Sequence, residues 1–341
     1  MQWPGRPAGR PEEQAAEPGH PNDISGRIRS IMQMFTLAHF TDVHLPLAGA
    51  RPRELFSKRI IGWLSWNLRR RGRHDRAALD ALVADMLAAR PEMLALTGDV
   101  VNISTRAEFA AARRWLAGLA GPERLVFVPG NHDHYVAEAP AAGLNDLAPW
   151  MAGDGEGPGG AEGQGGLAAS FPFLRRAGDV ALIGVNSAFA APWRESSGRF
   201  DAGQGRRLER LLAAAGEEGL CRIVLIHHPP LAELATARRK ALKGARHLRR
   251  ILEEHGAEAV LYGHNHTWAH HQLETRHGTA HLLAAPSASM RAGEEKPPAG
   301  WQMLRPFREG GRWNMEVVRR GLRTDGEGAA LAELERLHLA C

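Results

Sequence analysis

Five short apolar runs in this chain each stop on side chains that bind metals or protons, and that repetition constrains the fold more than any other feature. "FTLAHF" runs into Thr41, Asp42, Val43 and His44, "EMLALTGD" stops at Asp99, and "RLVFVPGNHD" delivers Asn131, His132 and Asp133. Further on, "CRIVLIHHPP" reaches His227 and "AEAVLYGHNH" reaches His264 and His266. A short apolar run bounded by turn signals fits a strand buried on both faces. Helical spacing separates the runs over Asp75 to Arg90, Ser104 to Leu119, Asp201 to Ala215 and Ala245 to His255, with Ser104 and Asp201 as candidate N-caps. Strands alternating with helices predict an α/β chain, in which the carboxyl ends of the strands gather along one edge where ligands bind. The five tips are therefore expected to converge. Any one of them read alone, GNHD included, is also an ordinary turn, because Gly and Asn follow strands constantly.

After the last tip the pattern changes to strands without helices: "HHQLETR", "TAHLLAA", "WQMLRPF" and "WNMEVVRR", the last two joined across Gly310 and Gly311 as a hairpin. This predicts a second sheet. Residues 1–33 are rich in Pro, Gly and charge and read as a disordered leader, with Met32 or Met34 as an alternative start. One main domain is expected over 34–322, and the tail over 323–341 reads as an amphipathic helix centred on Ala329 to Leu339. Two segments interrupt the scheme. The stretch over 152–166 is Gly-rich and reads as a surface loop; the stretch over 55–74, "LFSKRIIGWLSWNLRRRGRH", is both strongly apolar and strongly basic.

With 341 residues, 44% of them hydrophobic, the chain can bury a large core. A formal net charge of +5 favours anionic partners without choosing among them. Cys221 and Cys341 are too few for a disulfide framework or a cysteine zinc site, which suits a reducing cytoplasm. No stretch approaches the roughly 18–20 apolar residues of a spanning helix, so any membrane contact is expected to be peripheral, on the inner face. Nothing in the sequence fixes an oligomeric state.

The tip residues supply carboxylate, imidazole and amide but no thiolate, a donor set suited to Mn, Fe or Zn. Their number exceeds what one tetrahedral ion needs and suits two divalent ions sharing a carboxylate, an arrangement that lowers the pKa of a bound water and clamps a phosphoryl oxygen. The Asp-x-His pair at Asp42 and His44 is expected to place two ligands on one side of an extended segment.

The blocks D-x-H, G-D, G-N-H-D, H and G-H-x-H, in that order between Asp42 and His266, resemble the calcineurin-like metallophosphoesterase superfamily. The resemblance implies a four-layer αββα sandwich and hydrolysis of a phosphoester or pyrophosphate by a metal-bridging hydroxide. It implies that Asp42, His44 and His266 hold one metal, Asn131, His227 and His264 the other, and that Asp99 bridges. His132 would act on the phosphate as a catalytic group beside Asn131, with Asp133 orienting its ring. Taking His227 rather than His228 rests on the family pattern; His39, His134, His270, His271, His277 and His281 read as surface or core histidines.

Departures within the blocks narrow the branch. Phosphoprotein phosphatases carry an Arg shortly after the second-block Asp, whereas "VVNIS" follows Asp99, and purple acid phosphatases carry a Tyr where this chain has Asn102. The form of the blocks is most similar to the class III cyclic-nucleotide phosphodiesterase group. Without coiled-coil heptads or an aromatic stacking platform, a nuclease, and nucleic acid as partner, rank low. With every expected ligand present, so does a non-catalytic scaffold.

The apolar-basic insertion carries the remaining information. Leu55, Phe56, Ile60, Ile61, Trp63, Leu64, Trp66 and Leu68 form a wide apolar face beside Lys58, Arg59, Arg69, Arg70, Arg71 and Arg73. One reading is a helix packed over the site with Arg for solubility. The other is an interfacial helix on anionic lipid, with Trp63 and Trp66 contacting acyl chains or the membrane. "SKRIIGWLSWNLRRR" also resembles the calcineurin-like UDP-2,3-diacylglucosamine pyrophosphatases, which implies a lipid-linked substrate as an alternative to a phosphorylated small molecule such as a cyclic nucleotide.

Overall fold

The computed structural model describes residues 35–154, 170–293, 295–323 and 330–341. The expected leader over 1–33 and most of the Gly-rich stretch over 152–166 lie outside the described residues. In chain order the strands are β1 (Leu37–Phe40), β2 (Met93–Leu96), β3 (Leu125–Phe127), β4 (Phe173–Ala177), β5 (Val180–Gly184), β6 (Gly198–Arg199), β7 (Cys221–Leu225), β8 (Leu242–Lys243), β9 (Ala259–Tyr262), β10 (Ala269–Thr275), β11 (Gly278–Ala284), β12 (Gly300–Glu309), β13 (Arg312–Arg323) and β14 (Ala330–Ala340). The helices that matter for the site are α1 (Arg59–Ser65), α2 (Arg76–Ala88), α3 (Arg106–Leu119), α4 (Ala202–Glu217) and α5 (Ala245–His255).

Two six-stranded sheets form, ordered β14-β13-β12-β1-β2-β3 and β10-β11-β9-β7-β5-β4. The ligand-bearing strands are parallel, β1 with β2 and β3 in one sheet and β7 with β9 in the other, so their carboxyl ends share an edge. Alternation along β7 shows how the layers are built. Ile223 and Leu225 join the core between the sheets, while Val224 and Ile226 face Leu208, Leu212, Leu248 and Leu252 of α4 and α5. On the outer side of the first sheet, Leu79, Leu82 and Met86 of α2 and Phe109 and Leu116 of α3 are fully buried. At about 1.5–3 kcal/mol each, such side chains hold the helices by packing rather than by intrinsic propensity. The result is the expected helix–sheet–sheet–helix sandwich.

Local signals account for most element ends. Asp201 caps α4 through the Gln204 amide, as expected. The cap of α3 is Thr105, not Ser104, because Thr105 closes a capping box with Glu108. Gly310 and Gly311 turn the β12–β13 hairpin with φ of +59° and +82°, the left-handed pair that a tight two-residue turn requires.

The expected C-terminal helix is a strand instead. β14 lies antiparallel on β13, setting Leu337 beside Val317 and Leu339 beside Met315, with a bulge between Arg319 and Arg320. Arg319 pairs with Glu335 at 2.6 Å, and Arg336 pairs with Glu316. Covering the open edge of β13 outweighs the helix propensity of Ala, Leu, Glu and Arg in this tail.

Candidate metal centre

The five tips converge. Asp42 and His44 follow β1, Asp99 follows β2, Asn131 follows β3, His227 follows β7, and His264 and His266 follow β9. Backbone hydrogen bonds lock neighbouring tips: the Asp42 amide donates to the Gly98 carbonyl at 2.9 Å, the His44 amide to the Asp99 carbonyl at 2.9 Å, and the Gly263 amide to the His227 carbonyl at 3.0 Å. Asp42, His44, Asp99, His264 and His266 all have left-handed backbones, with φ of 52°, 43°, 56°, 67° and 54°. Non-glycine residues adopt this region at a cost, and such strain concentrates at functional sites. It also corrects the expected origin of the Asp-x-His geometry. β1 ends at Phe40, so Asp42 and His44 share a side through two left-handed turns, not through strand alternation.

His266 Nε2 stands 2.9 Å from Asp42 Oδ1, and His44 Nε2 stands 3.9 Å from both Asp42 Oδ1 and Asp99 Oδ2. His227 Nε2 lies 3.4 Å from Asp99 Oδ2, 3.2 Å from Asn131 Oδ1 and 3.2 Å from His264 Nδ1. Among the described residues, three groups have ligand atoms close enough to hold an ion: Asp42 with His44 and His266, Asp42 with Asp99 and His227, and His227 with His228 and His264. Among the described residues, Asp42 Oδ1, which His44 Nε2 and His266 Nε2 both approach, is buried without a hydrogen-bond partner. The short approach of His266 to Asp42 Oδ1 lacks the alignment of a hydrogen bond, as when two ligands face one point. An unpartnered buried carboxylate oxygen is rare, and here it fits a divalent cation.

The charges agree with that fit. Burial works against ionisation of Asp42 and Asp99, yet His266 beside Asp42 and His227 beside Asp99 hold both carboxyls below their usual range. Burial also pushes His227 down, but Asp99 and Asp42 more than offset this and raise it to about 9. A concentrated negative floor of this kind attracts cations.

His228 points elsewhere. Its Nδ1 meets Ser187 Oγ at 2.8 Å and its Nε2 the Ser196 carbonyl at 3.2 Å, so both ring nitrogens are engaged while His227 faces the carboxylates. His39 is a core residue between Thr97 and Gln302, as expected, and His270 and His281 pair with each other.

The expectation for Asp133 is corrected. Its carboxylate does not touch the His132 ring; it accepts the backbone amides of Asp99, Val100, Val101 and Gly130 at 2.7–3.1 Å. Burial and repulsion from Asp99 push Asp133 up to about 7, against four donors that favour its ionised form. The ring is oriented by Asn102, whose carbonyl receives His132 Nδ1–H at 2.6 Å, and by Tyr135, stacked on it at 5.7 Å. Ser104, freed from capping, donates its hydroxyl to the His132 and Asp133 carbonyls at 2.8 and 3.0 Å.

The insertion folds over this floor as a strap. α1 continues into a π-turn over Trp66–Arg70, and two of its basic residues are not surface charges. Arg59 is buried, donating to the Ile103 and Ser104 carbonyls at 3.0 and 2.8 Å. Arg70 Nη1 reaches His132 Nε2 at 2.8 Å and Nη2 reaches His44 Nε2 at 3.3 Å. Trp66 is also buried, stacked on His74 at 5.8 Å and 9°, and His74 in turn bonds Ser289 at 2.9 Å. Beside the strap a cavity of about 650 Å³ opens onto His44, lined by Leu47, Trp63, Trp66, Asn67 and His74 among others. Sequence reasoning missed Arg70 and His74 as site residues, because a run of Arg on an amphipathic segment looks solvated throughout.

The family model for calcineurin-like phosphoesterases matches residues 35–268, a span that contains every candidate ligand at the tips. The chain belongs to the calcineurin-like phosphoesterase family. It is accordingly a metallophosphoesterase, an enzyme that hydrolyses phosphoester bonds. In fold it is similar to a dimetal phosphatase from Danio rerio, with a TM-score of 0.56 and 12% identity over 90% of this chain and 99% of the other. It is also similar to a purple acid phosphatase from yellow lupin (Lupinus luteus) seeds, with a TM-score of 0.54 and 11% identity over 90% of this chain and 54% of the other. No curated protein sequence matches the chain.

Proposed function

We propose that the protein is a two-metal hydrolase of a phosphodiester or pyrophosphate bond in a lipid-type substrate, working at an anionic membrane surface. The observation that carries this reading is the strap. Among the described residues eight large apolar side chains are exposed, and five of them, Phe56, Ile60, Ile61, Leu64 and Leu68, fall within thirteen consecutive positions beside the metal-centre cavity. Phe56 is 90% and Leu68 77% exposed, and Arg53 and Arg71 lie beside them in the chain, an apolar-basic pattern suited to anionic headgroups. Trp63 and Trp66 line the cavity beneath, which favours an acyl-chain contact there rather than in the bilayer. Among the described residues no helix is long and apolar enough to cross a membrane; the basic-apolar strap supports peripheral docking, which we place on the inner face.

In this reading Asp42, His44 and His266 hold one ion, Asn131, His227 and His264 the other, and Asp99 is shared. The donor set suits Mn, Fe or Zn. Bound ions would supply an activated water and screen the phosphoryl charge. The rest falls to the chain. Because a carbonyl can only accept, the 2.6 Å contact with Asn102 fixes the His132 proton on Nδ1 and leaves Nε2 as an acceptor facing the centre, so that only after taking up a second proton could it donate to a phosphoryl oxygen or the departing group. Asp133 keeps the second and third tips in register so that Asp99 and Asn131 face each other's ligands.

The test is hydrolysis by Mn-loaded protein, beside an Asn131→Ala/His132→Ala control, of bis-p-nitrophenyl phosphate, p-nitrophenyl phosphate, cyclic AMP and a UDP-diacylglucosamine substrate. Turnover of the diester and the lipid pyrophosphate, lost in the control, is expected. Turnover of cyclic AMP alone would assign the protein to the cyclic-nucleotide alternative, and an inert, metal-free protein would return it to the scaffold class.

A further inference from the structure

We propose that Arg70, carried into the centre by the strap, is a catalytic residue that binds the phosphoryl oxygens from the side opposite the metals. The inference rests on the two-metal reading above and adds a residue that none of the five tip blocks contains.

The geometry is specific. Arg70 ends the π-turn that begins at Trp66, closed by the Arg71 amide on the Trp66 carbonyl at 2.9 Å, and turns of this kind are enriched at functional sites. Trp66, wedged against His74, fixes the base of the turn. A guanidinium offers five N–H donors in a planar fork matched to carboxylate or phosphate. Among the described residues, the side-chain partners that meet Arg70's fork are the imidazole nitrogens of His132 and His44, with no carboxylate at ion-pair distance. Neither is a strong acceptor for a half-buried cation, on which Asp99 and Asp42 act only at longer range.

The His44 contact also cannot persist in the working enzyme. The ring nitrogen that accepts from Arg70 Nη2 is the one facing Asp42 and Asp99, and a single lone pair cannot serve both an ion and a guanidinium. With ions held by the floor, the Arg70 fork faces them across a gap of like charge. An anion between them converts that repulsion into attraction from both sides, and a phosphoryl group with several charged oxygens is the anion a phosphoesterase admits. His132 Nε2, which accepts from Arg70 Nη1 at 2.8 Å, would be released by that shift and, once protonated, would donate to the same phosphoryl group.

The competing account is that Arg70 only props the His132 and His44 rings. The test uses the full chain, wild type against Arg70→Ala and Arg70→Lys, with metal content by elemental analysis, binding of inorganic phosphate by calorimetry, and kcat/KM on bis-p-nitrophenyl phosphate. Arg70→Ala is expected to keep its metal, to bind phosphate about tenfold more weakly, and to lose on the order of 10²-fold in kcat/KM. Guanidinium ion added to Arg70→Ala should restore part of the turnover, and Arg70→Lys, which keeps charge without the fork, should fall between. Phosphate affinity within twofold of wild type in Arg70→Ala would overturn the proposal, as would loss of metal in that variant, which is the outcome for a prop. A wild type that loads metal but binds no phosphate also sinks it, whereas a wild type that takes up no metal defeats the two-metal reading itself. In that case the phosphate comparison between wild type and Arg70→Ala still decides the role of Arg70.

Discussion

The Asp133 carboxylate accepts the backbone amide of Asp99 at 2.7 Å, joining strand tips that are 34 residues apart in sequence. The same group takes three further amides, so it organises backbone, not substrate. Asp133→Ala leaves four buried donors without an acceptor, and the expected loss of stability is at least about 3 kcal/mol. Asp133→Asn, which turns an amide nitrogen toward two of those donors, is expected to be destabilising as well. Denaturant unfolding of the metal-free protein measures both; a loss under about 1 kcal/mol for the alanine variant would contradict this role.

Adjacent histidines at the tip of β7 give a sharper contrast. His227 faces Asp99 and Asn131, whereas His228 is bound on both ring nitrogens by Ser187 and Ser196. His227→Ala is expected to lose at least one of about two metal equivalents per chain, while His228→Ala retains them. Elemental analysis after repletion and desalting distinguishes the two, and equal losses would place His228 among the ligands.

Stability in acid should depend on a contact far from the metals. Asp85 on α2 accepts Arg320 of β13 at 2.6 and 2.8 Å and the Trp301 indole of β12 at 2.8 Å. Burial alone would raise its pKa, but these donors outweigh burial and hold it below the usual value. A carboxyl depressed on folding contributes stability that is fully present above its unfolded pKa of about 3.9 and is lost as pH falls through the folded value. The stability gap between wild type and Asp85→Asn is therefore expected to be constant from neutral pH down to about 4 and to shrink below it. A gap that stays constant down to pH 2 would remove Asp85 from the acid response.

The strap makes a separate claim on lipid. Phe56→Ser with Leu68→Ser removes the two most exposed large apolar side chains. Flotation with anionic phospholipid vesicles is expected to drop about tenfold in affinity, at unchanged metal content. Equal flotation by the double variant, or equal binding of wild type to zwitterionic vesicles, would count against a basic-apolar docking face.

Much of the centre is legible in the sequence because every candidate ligand follows directly on one of five strands, so a local pattern reports a local fact. Convergence then follows from parallel pairing. What escapes is the part set by long-range packing. Arg70 and Arg71 are indistinguishable in "LRRRG", yet only the turn at Trp66 decides that Arg70 points to His132. Asp133 looks like a partner for its neighbour because sequence proximity suggests it, while its real partners come from the loop after β2. The tail over Ala330–Ala340 carries helix-forming residues, and its strand state is imposed by the open edge of β13. Propensity is a weak prior against such a template.

The left-handed backbones at Asp42, His44, Asp99, His264 and His266 have one more consequence. Each is a position where glycine would relax the main chain by about 1 kcal/mol while deleting a ligand. At Asp42 and Asp99 that gain is outweighed, because the carboxylates accept the backbone amides of His264 and His132 at 2.9 and 2.7 Å, so only the three histidine positions trade a ring for a more relaxed main chain. The left-handed backbone at His44, His264 and His266 is therefore a standing strain that holds their rings toward one another.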